Sequence, residues 1–156
     1  MNANWNRWIY SSIAKYFTDK AIAANVNIYI ESAPAKDKHP QDWIELRIDG
    51  PYFSGRSKNE WGATIEVNVV VSSAKNEKNN YRFLINSGLV CEWCVAEIPI
   101  FKLGTGVSDD QSLLTCLQLK TDDRERLIVS NFGQIDPTTQ LLQSTVEGHY
   151  HANLVG

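Results

Sequence analysis

Residues 60–73, EWGATIEVNVVVSS, carry the strongest secondary-structure signal in the chain and decide its fold class. Apolar and polar positions alternate, with Ile65, Val67, Val69 and Val71 on one face and Thr64, Glu66, Asn68, Val70 and Ser72 on the other. A two-residue period is that of a β-strand with one buried face. The segment therefore predicts a strand that covers a core on one side.

The preceding segment, 43–49, shows the same alternation. One face carries Ile44, Leu46 and Ile48, and the other carries Trp43, Glu45, Arg47 and Asp49. Gly50-Pro51 ends the pattern, and a polar stretch rich in turn formers, Gly50–Asn59, leads to the next strand. We therefore predict an antiparallel strand pair joined by a long protruding loop.

Two helices are predicted from apolar residues spaced at i, i+3 and i+4. The first, residues 4–17, carries an aromatic stripe of Trp5, Trp8, Ile9, Ser12, Ile13 and Tyr16. The second starts after a cap at Asn79 or Asn80 and runs to about Glu97, with one face formed by Leu84, Ser87, Gly88, Cys91, Cys94, Val95 and Ile98. Large aromatic side chains bury much area, so we expect the first helix to pack on a sheet.

Four further segments predict strands: 26–31, 113–119, 126–132 and 139–154. In the last, Leu142, Val146, Tyr150 and Leu154 share a face, and residues 133–138 form a turn before it. Helices separated by runs of strands indicate an α+β fold. We therefore predict one domain over residues 1–156, with a mainly antiparallel sheet of about five to six strands and both the N-terminal and the central helix packed on one face.

Charge and hydropathy exclude some partners. The chain has 15 basic and 18 acidic side chains, a net charge of −3, and so lacks the basic excess that non-specific nucleic-acid binding requires. No uncharged run exceeds ten residues, so no membrane-spanning helix is expected. The N-terminal residues lack the layout of a signal peptide, and three cysteines indicate free thiols in a reducing compartment.

No motif indicates catalysis. Cys91 and Cys94 have a Cys-x-x-Cys spacing that could hold zinc together with His149 and His151, but their position on the apolar face of a helix favours buried packing cysteines. Gly104-Thr-Gly106 lacks the frame of a phosphate loop, and the pairs Asp109-Asp110 and Asp122-Asp123 fall in turns, where carboxylates are solvated or cap the chain. We predict no catalytic, cofactor-binding or metal-binding residues, and no enzyme.

Two tryptophans need a separate explanation. Trp43 and Trp61 fall on the predicted polar faces or the ends of adjacent strands. Tryptophan is enriched in the central contacts of protein interfaces, so the pair is a candidate contact surface. A second helix that covers the same face would explain them equally well.

The layout resembles that of the tail terminator and head-to-tail neck proteins of long-tailed bacteriophages. The resemblance lies in the N-terminal helix Trp5–Phe17, the strand pair Trp43–Asp49 and Glu60–Ser73 with its loop, the helix Tyr81–Ala96, and the closing segment Thr145-Val-Glu-Gly-His-Tyr150. It covers most of the chain, and none of its residues is diagnostic by itself.

The resemblance implies a structural virion protein, assembled in the host cytoplasm, that forms a ring, expected as a hexamer. Such a ring terminates the tail tube, joins the head connector, and lets DNA pass through its lumen without specific binding. The protruding segments are our candidate subunit contacts: Tyr52, Phe53, Arg56 and Trp61 near the loop, and Asp122, Asp123, Arg124, Glu125 and Arg126 at a charged hairpin tip. Alternatives are another tail or neck adaptor and, in a different class, a small ligand-binding domain; a hydrolase ranks last.

Overall fold

The structure is a computed structural model that describes residues 2–32, 40–74, 77–107, 109–120, 127–136 and 141–155. Its elements, in chain order, are α1 (Trp5–Ala23), β1 (Ile28–Ile30), β2 (Asp42–Gly55), β3 (Glu60–Ala74), α2 (Glu77–Val95), β4 (Ile98–Phe101), β5 (Leu113–Leu119), β6 (Leu127–Asp136) and β7 (Leu141–Val155). The fold is α+β, with an N-terminal and a central helix, as predicted.

The described strands form one seven-stranded sheet in the order β1-β2-β3-β7-β5-β4, and β6 also pairs with β7. All pairs are antiparallel except β1 with β2. The sheet is therefore larger than the predicted five to six strands, because β4 follows α2 directly and was missed. β6 also continues to Asp136, through the segment predicted as a turn.

β7 is the strand that holds this sheet together. One of its edges pairs with β3 over its whole length, from Leu141 opposite Ala74 to Val155 opposite Glu60. Its other edge is shared, since β6 pairs with the first part and β5 with residues around Tyr150. The predicted alternation of β7 is confirmed: Val146, Tyr150 and Leu154 are buried.

The prediction of a long loop over Gly50–Asn59 is wrong. β2 continues past Gly50-Pro51 with a bulge between Asp49 and Tyr52, and Phe53 then pairs with Ala63. The actual turn is short and is closed by the Arg56 N–H, which donates to the Glu60 carbonyl at 2.9 Å. Proline is tolerated here because Gly50 and Pro51 fall within the bulge, where neither residue has a partner on β3, and because β1 pairs with β2 only as far as Leu46.

Both helices cover the same face of the sheet, as predicted, and share one hydrophobic core with it. The predicted stripe of α1 is buried except for half-buried Tyr16, and the helix extends beyond its predicted end at residue 17, through buried Ala21 to Ala23. The Tyr16 hydroxyl donates to the Trp93 carbonyl at 2.8 Å, which joins α1 to α2. We call the opposite side of the sheet the open face, because neither helix packs there.

The buried face of α2 differs from the predicted one. It consists of Phe83, Asn86, Ser87, Val90, Trp93 and Cys94, whereas Leu84, Gly88 and Val95 face solvent. Asn86 Nδ2 donates to Asp42 Oδ2 at 3.0 Å, and Arg82 Nη2 donates to the same oxygen at 3.2 Å. These bonds fix the rotation of α2 against the start of β2, which apolar spacing alone could not specify.

Asp109, expected to be solvated or to cap its turn, accepts a hydrogen bond from the Gly106 N–H and is buried between α1 and the chain that follows β4. Its carboxylate accepts hydrogen bonds from Arg7 Nη2 at 3.1 Å and from Trp8 Nε1 at 2.5 Å. Gly104 lies against this group, since a Cβ there would be 2.3 Å from Arg7 Nη1. The bonds from Arg7 and then Trp8 lower the pKa of Asp109 from 3.8 to about 2.

We expect Asp109→Asn to lower the free energy of unfolding at neutral pH and to flatten its acid dependence. The native pKa of Asp109 is depressed, so its contribution is complete above pH 3.8 and is lost as pH falls through about 2. Urea denaturation between neutral pH and pH 2 measures this. Asp19→Asn is the control, because Asp19 is exposed on α1. Parallel pH profiles for wild type and Asp109→Asn would contradict the assignment.

Candidate functional site

Four of the predicted contact residues lie at one end of the sheet, around the β2–β3 turn. Tyr52 is 60% exposed on the open face, and its hydroxyl donates to Asp49 Oδ1 at 2.6 Å. Phe53 points to the helix-covered face and is half-buried against the core. Arg56 is exposed in the turn. The structure therefore brings these side chains to the same end but divides them between two faces.

Trp61 lies on the helix-covered face rather than on the polar one. Its ring packs over Gly55, where a Cβ would lie only 3.3 Å from the ring atoms. Trp61 and Arg56 line a surface cavity of about 150 Å³ together with Glu60, Asn153 and Leu154. The indole Nε1 is buried and has no hydrogen-bond partner within the described residues. Trp43, in contrast, is buried on the open face, where neither described helix covers it.

The other five contact residues predicted from the sequence, Asp122, Asp123, Arg124, Glu125 and Arg126, lie outside the described residues.

Within the part of the chain that the structure describes, α2 carries an exposed apolar stripe, part of which the sequence analysis placed on the buried face. One side of this helix presents Tyr81 (71% exposed), Leu84 (52%), Ile85 (43%) and Val95 (60%), with Gly88 and Glu92 between them. These positions follow i, i+3 and i+4 spacing and lie opposite the buried face. We call them the outer face of α2. A helix that is apolar on both sides is typical of one covered by protein on both sides.

Gly88 lies in the middle of this outer face. A Cβ built there would meet no atom within 4 Å. Glycine in a helix interior is less stable than alanine by about 1 kcal/mol, and no described neighbour requires it for space. The glycine leaves room for another backbone to approach α2 closely.

The cysteines and histidines lie on opposite sides of the sheet. Tyr150 on β7 points to the helices, and its hydroxyl donates to the Cys94 carbonyl at 2.6 Å. Its neighbours His149 and His151 therefore project from the open face. A zinc site made of Cys91, Cys94 and these histidines is geometrically excluded.

The prediction of packing cysteines is confirmed for Cys94. Its side chain is fully buried in the core, and burial raises the pKa of its thiol to about 12. Cys91 is half-buried, and burial also raises its pKa. Both groups are therefore thiols at neutral pH, which suits packing rather than redox chemistry.

The chain matches no protein-family model and no curated protein sequence. Within the described part of the chain, no helix is long and apolar enough to cross a membrane.

The orientation of α2 can be tested with two neighbouring residues. Phe83→Ala should lower the free energy of unfolding of the isolated subunit by about 3–5 kcal/mol, because it removes a buried ring. Leu84→Ala should change it by less than about 0.5 kcal/mol, because that side chain is exposed. Chemical denaturation at low protein concentration measures both. If Leu84→Ala lowered the free energy of unfolding as much as Phe83→Ala does, Leu84 would also be buried and the assigned orientation of α2 would be wrong.

Proposed function

We propose that this protein is a structural subunit of the neck or tail of a long-tailed phage. Copies assemble through the outer face of α2 into a ring, expected as a hexamer, that terminates the tail tube and joins it to the head connector. The observation that carries the proposal is the apolar outer face of α2.

The outer face of α2 suits a protein contact. The helix has 19 residues and is therefore about 28 Å long. Association would remove the exposed apolar side chains of this face from water, namely Tyr81, Leu84, Ile85 and Val95. Aromatic and aliphatic anchors of this kind contribute most of the binding energy of an interface. Glu92 alone interrupts the stripe with a charge, which a cationic group of the neighbour would pair with.

A closed ring needs two different surfaces on each subunit, because its interfaces run head to tail. The β2–β3 end of the sheet offers a second surface. Beyond Leu46, β2 has a free edge among the described strands, and exposed Tyr52 and Arg56 lie along it. We assign this end to contact the outer face of α2 of the neighbouring subunit.

The order of elements also supports the proposal. The resemblance to tail terminator and neck proteins rests on a first helix, a strand pair, a central helix and a closing strand. The elements α1, β2–β3, α2 and β7 follow in that order. The net charge of −3 suits a ring through which DNA slides, since an acidic lumen creates no affinity for a polyanion.

A ligand-binding domain is the second candidate. A cavity of about 310 Å³ lies between α1 and β4, lined by Ser12, Lys15, Tyr16, Asp19, Lys20, Pro99 and Phe101. This volume is at the lower limit for small-molecule sites. The candidate predicts a monomer or dimer that carries a bound molecule, instead of a ring.

Native mass spectrometry over a concentration series, with and without purified tail tubes, tests the proposal. We expect wild type to form a ring of about six subunits. Leu84→Glu should raise the concentration needed for assembly at least about tenfold, because it places a charge within an apolar contact. Ile22→Glu is the matched control, since Ile22 is 70% exposed on α1. A wild-type monomer under all conditions, or equal effects of both variants, would refute the proposal.

Gly88→Ala separates subunit stability from assembly. It should raise the free energy of unfolding of the isolated subunit by about 0.5–1 kcal/mol, because alanine favours the helix and its methyl meets no described atom. It should weaken ring formation, because the methyl occupies the space of the approaching neighbour. Denaturation at low concentration and native mass spectrometry measure the two effects. A variant that gains stability and assembles as well as wild type would remove Gly88 from the interface.

A further inference from the structure

The open face of the sheet brings together three side chains that the sequence keeps far apart. Glu66 on β3 lies directly opposite His149 on β7, and Glu147 precedes His149 by two residues on the same face. One possible ligand atom from each of the three lies within 4.8 Å of the others. Two carboxylates and one imidazole therefore converge at the centre of the sheet.

The surrounding hydrogen bonds already orient this cluster. His149 Nε2 lies 2.9 Å from Glu147 Oε1, so a hydrogen bond already holds two potential metal ligands side by side. Asn68 Nδ2 donates to Glu66 Oε1 at 3.0 Å and leaves the other carboxylate oxygen free to bind. Such supporting bonds to ligating carboxylates are typical of metal centres.

The spacing of these atoms fits a small divalent cation. Zinc binds imidazole nitrogen and carboxylate oxygen at about 2.0–2.2 Å, so ligand atoms around it lie about 3–3.5 Å apart. Atoms within 4.8 Å of each other reach that spacing by rotation of the two flexible glutamate side chains. The backbone need not move, because β3 and β7 are paired throughout this region.

The ligand types select the class of ion. An imidazole favours first-row transition metals such as Zn²⁺, whereas Mg²⁺ and Ca²⁺ prefer sites made only of oxygen ligands. Two carboxylates neutralise the charge of a divalent ion. The side chains of Glu147 and His149 are 29% and 30% exposed, so solvent can deliver the ion and fill its remaining coordination position.

We propose that Glu66, Glu147 and His149 form a binding site for a divalent transition-metal ion of the Zn²⁺ type on the open face of the sheet. The incoming ion takes the place of the hydrogen bond between His149 and Glu147: the neutral imidazole binds the ion through Nε2 and carries its one proton on Nδ1, and the glutamates bind as carboxylates. The bound ion cross-links β3 to β7. The site is independent of the outer face of α2, so the proposed assembly and the metal site stand or fall separately.

The test is titration of the full chain with ZnCl2 at pH 7.5, followed by calorimetry. We expect one saturable site per chain and a higher melting temperature with the ion bound, because a ligand that binds only the folded state stabilises it. Glu66→Gln and His149→Gln should each weaken binding at least tenfold while the metal-free proteins keep the wild-type circular dichroism spectrum. His151→Gln is the matched control, from the same strand and face, and should change the affinity by less than twofold.

Substitution with Co²⁺ identifies the ligands. A site made of imidazole and carboxylates gives a weak visible band without the sulfur-to-cobalt charge-transfer band that a cysteine ligand would produce. That spectrum, lost in His149→Gln, would support the proposal. No saturable Zn²⁺ binding, a sulfur-to-cobalt band, or an affinity unchanged in both Glu66→Gln and His149→Gln would overturn it.

Discussion

The register between β3 and β7 is the constraint on which the rest of the structure depends. It sets Ile65 opposite Tyr150 on the helix-covered face and Glu66 opposite His149 on the open face. Gly148 makes the register possible, because a Cβ there would lie 2.7 Å from the Tyr150 ring. The ring can thus fold over Gly148 and reach the Cys94 carbonyl on α2. A slip by one residue would turn Glu147 and His149 toward the helices and leave the core without Tyr150.

The helices are attached to this sheet by polar contacts as well as by the core. Asp109 holds the start of α1 through Arg7 and Trp8, and Asp42 holds α2 through Asn86 and Arg82. Hydrogen bonds are directional, so these contacts determine how each helix is rotated on the sheet. The rotation of α2 is what leaves its second apolar side exposed. The surface on which the proposed assembly depends is thus a consequence of a buried Asn–Asp contact.

The parts of the fold predicted correctly are those with a long, regular pattern. The alternation in 60–73 and in 139–154 identified β3 and β7 and assigned their faces. Prediction failed where two patterns compete. α2 is apolar on both sides, and Gly50-Pro51, a typical turn signal, here forms only a bulge in the ladder between β2 and β3. The Glu66, Glu147 and His149 cluster, and the partners of Asp109, could not be predicted because sheet register and tertiary packing create them. The sequence analysis considered His149 as a metal ligand, but only together with Cys91 and Cys94, which lie on the opposite side of the sheet.

The same central position of β7 has a consequence for how the chain acquires its structure. Ala74 pairs with Leu141 and Glu60 with Val155, so β3 can pair with β7 only after most of the chain has been synthesised. Until then one edge of β3 is unpaired, and β2 is the one strand with which β3 can pair. Contacts so distant in sequence carry a large loop-closure entropy, and folding governed by them is slow. During this interval the valines of β3 form an exposed strand that can pair with other chains, so newly made subunits are most prone to aggregation before β7 docks.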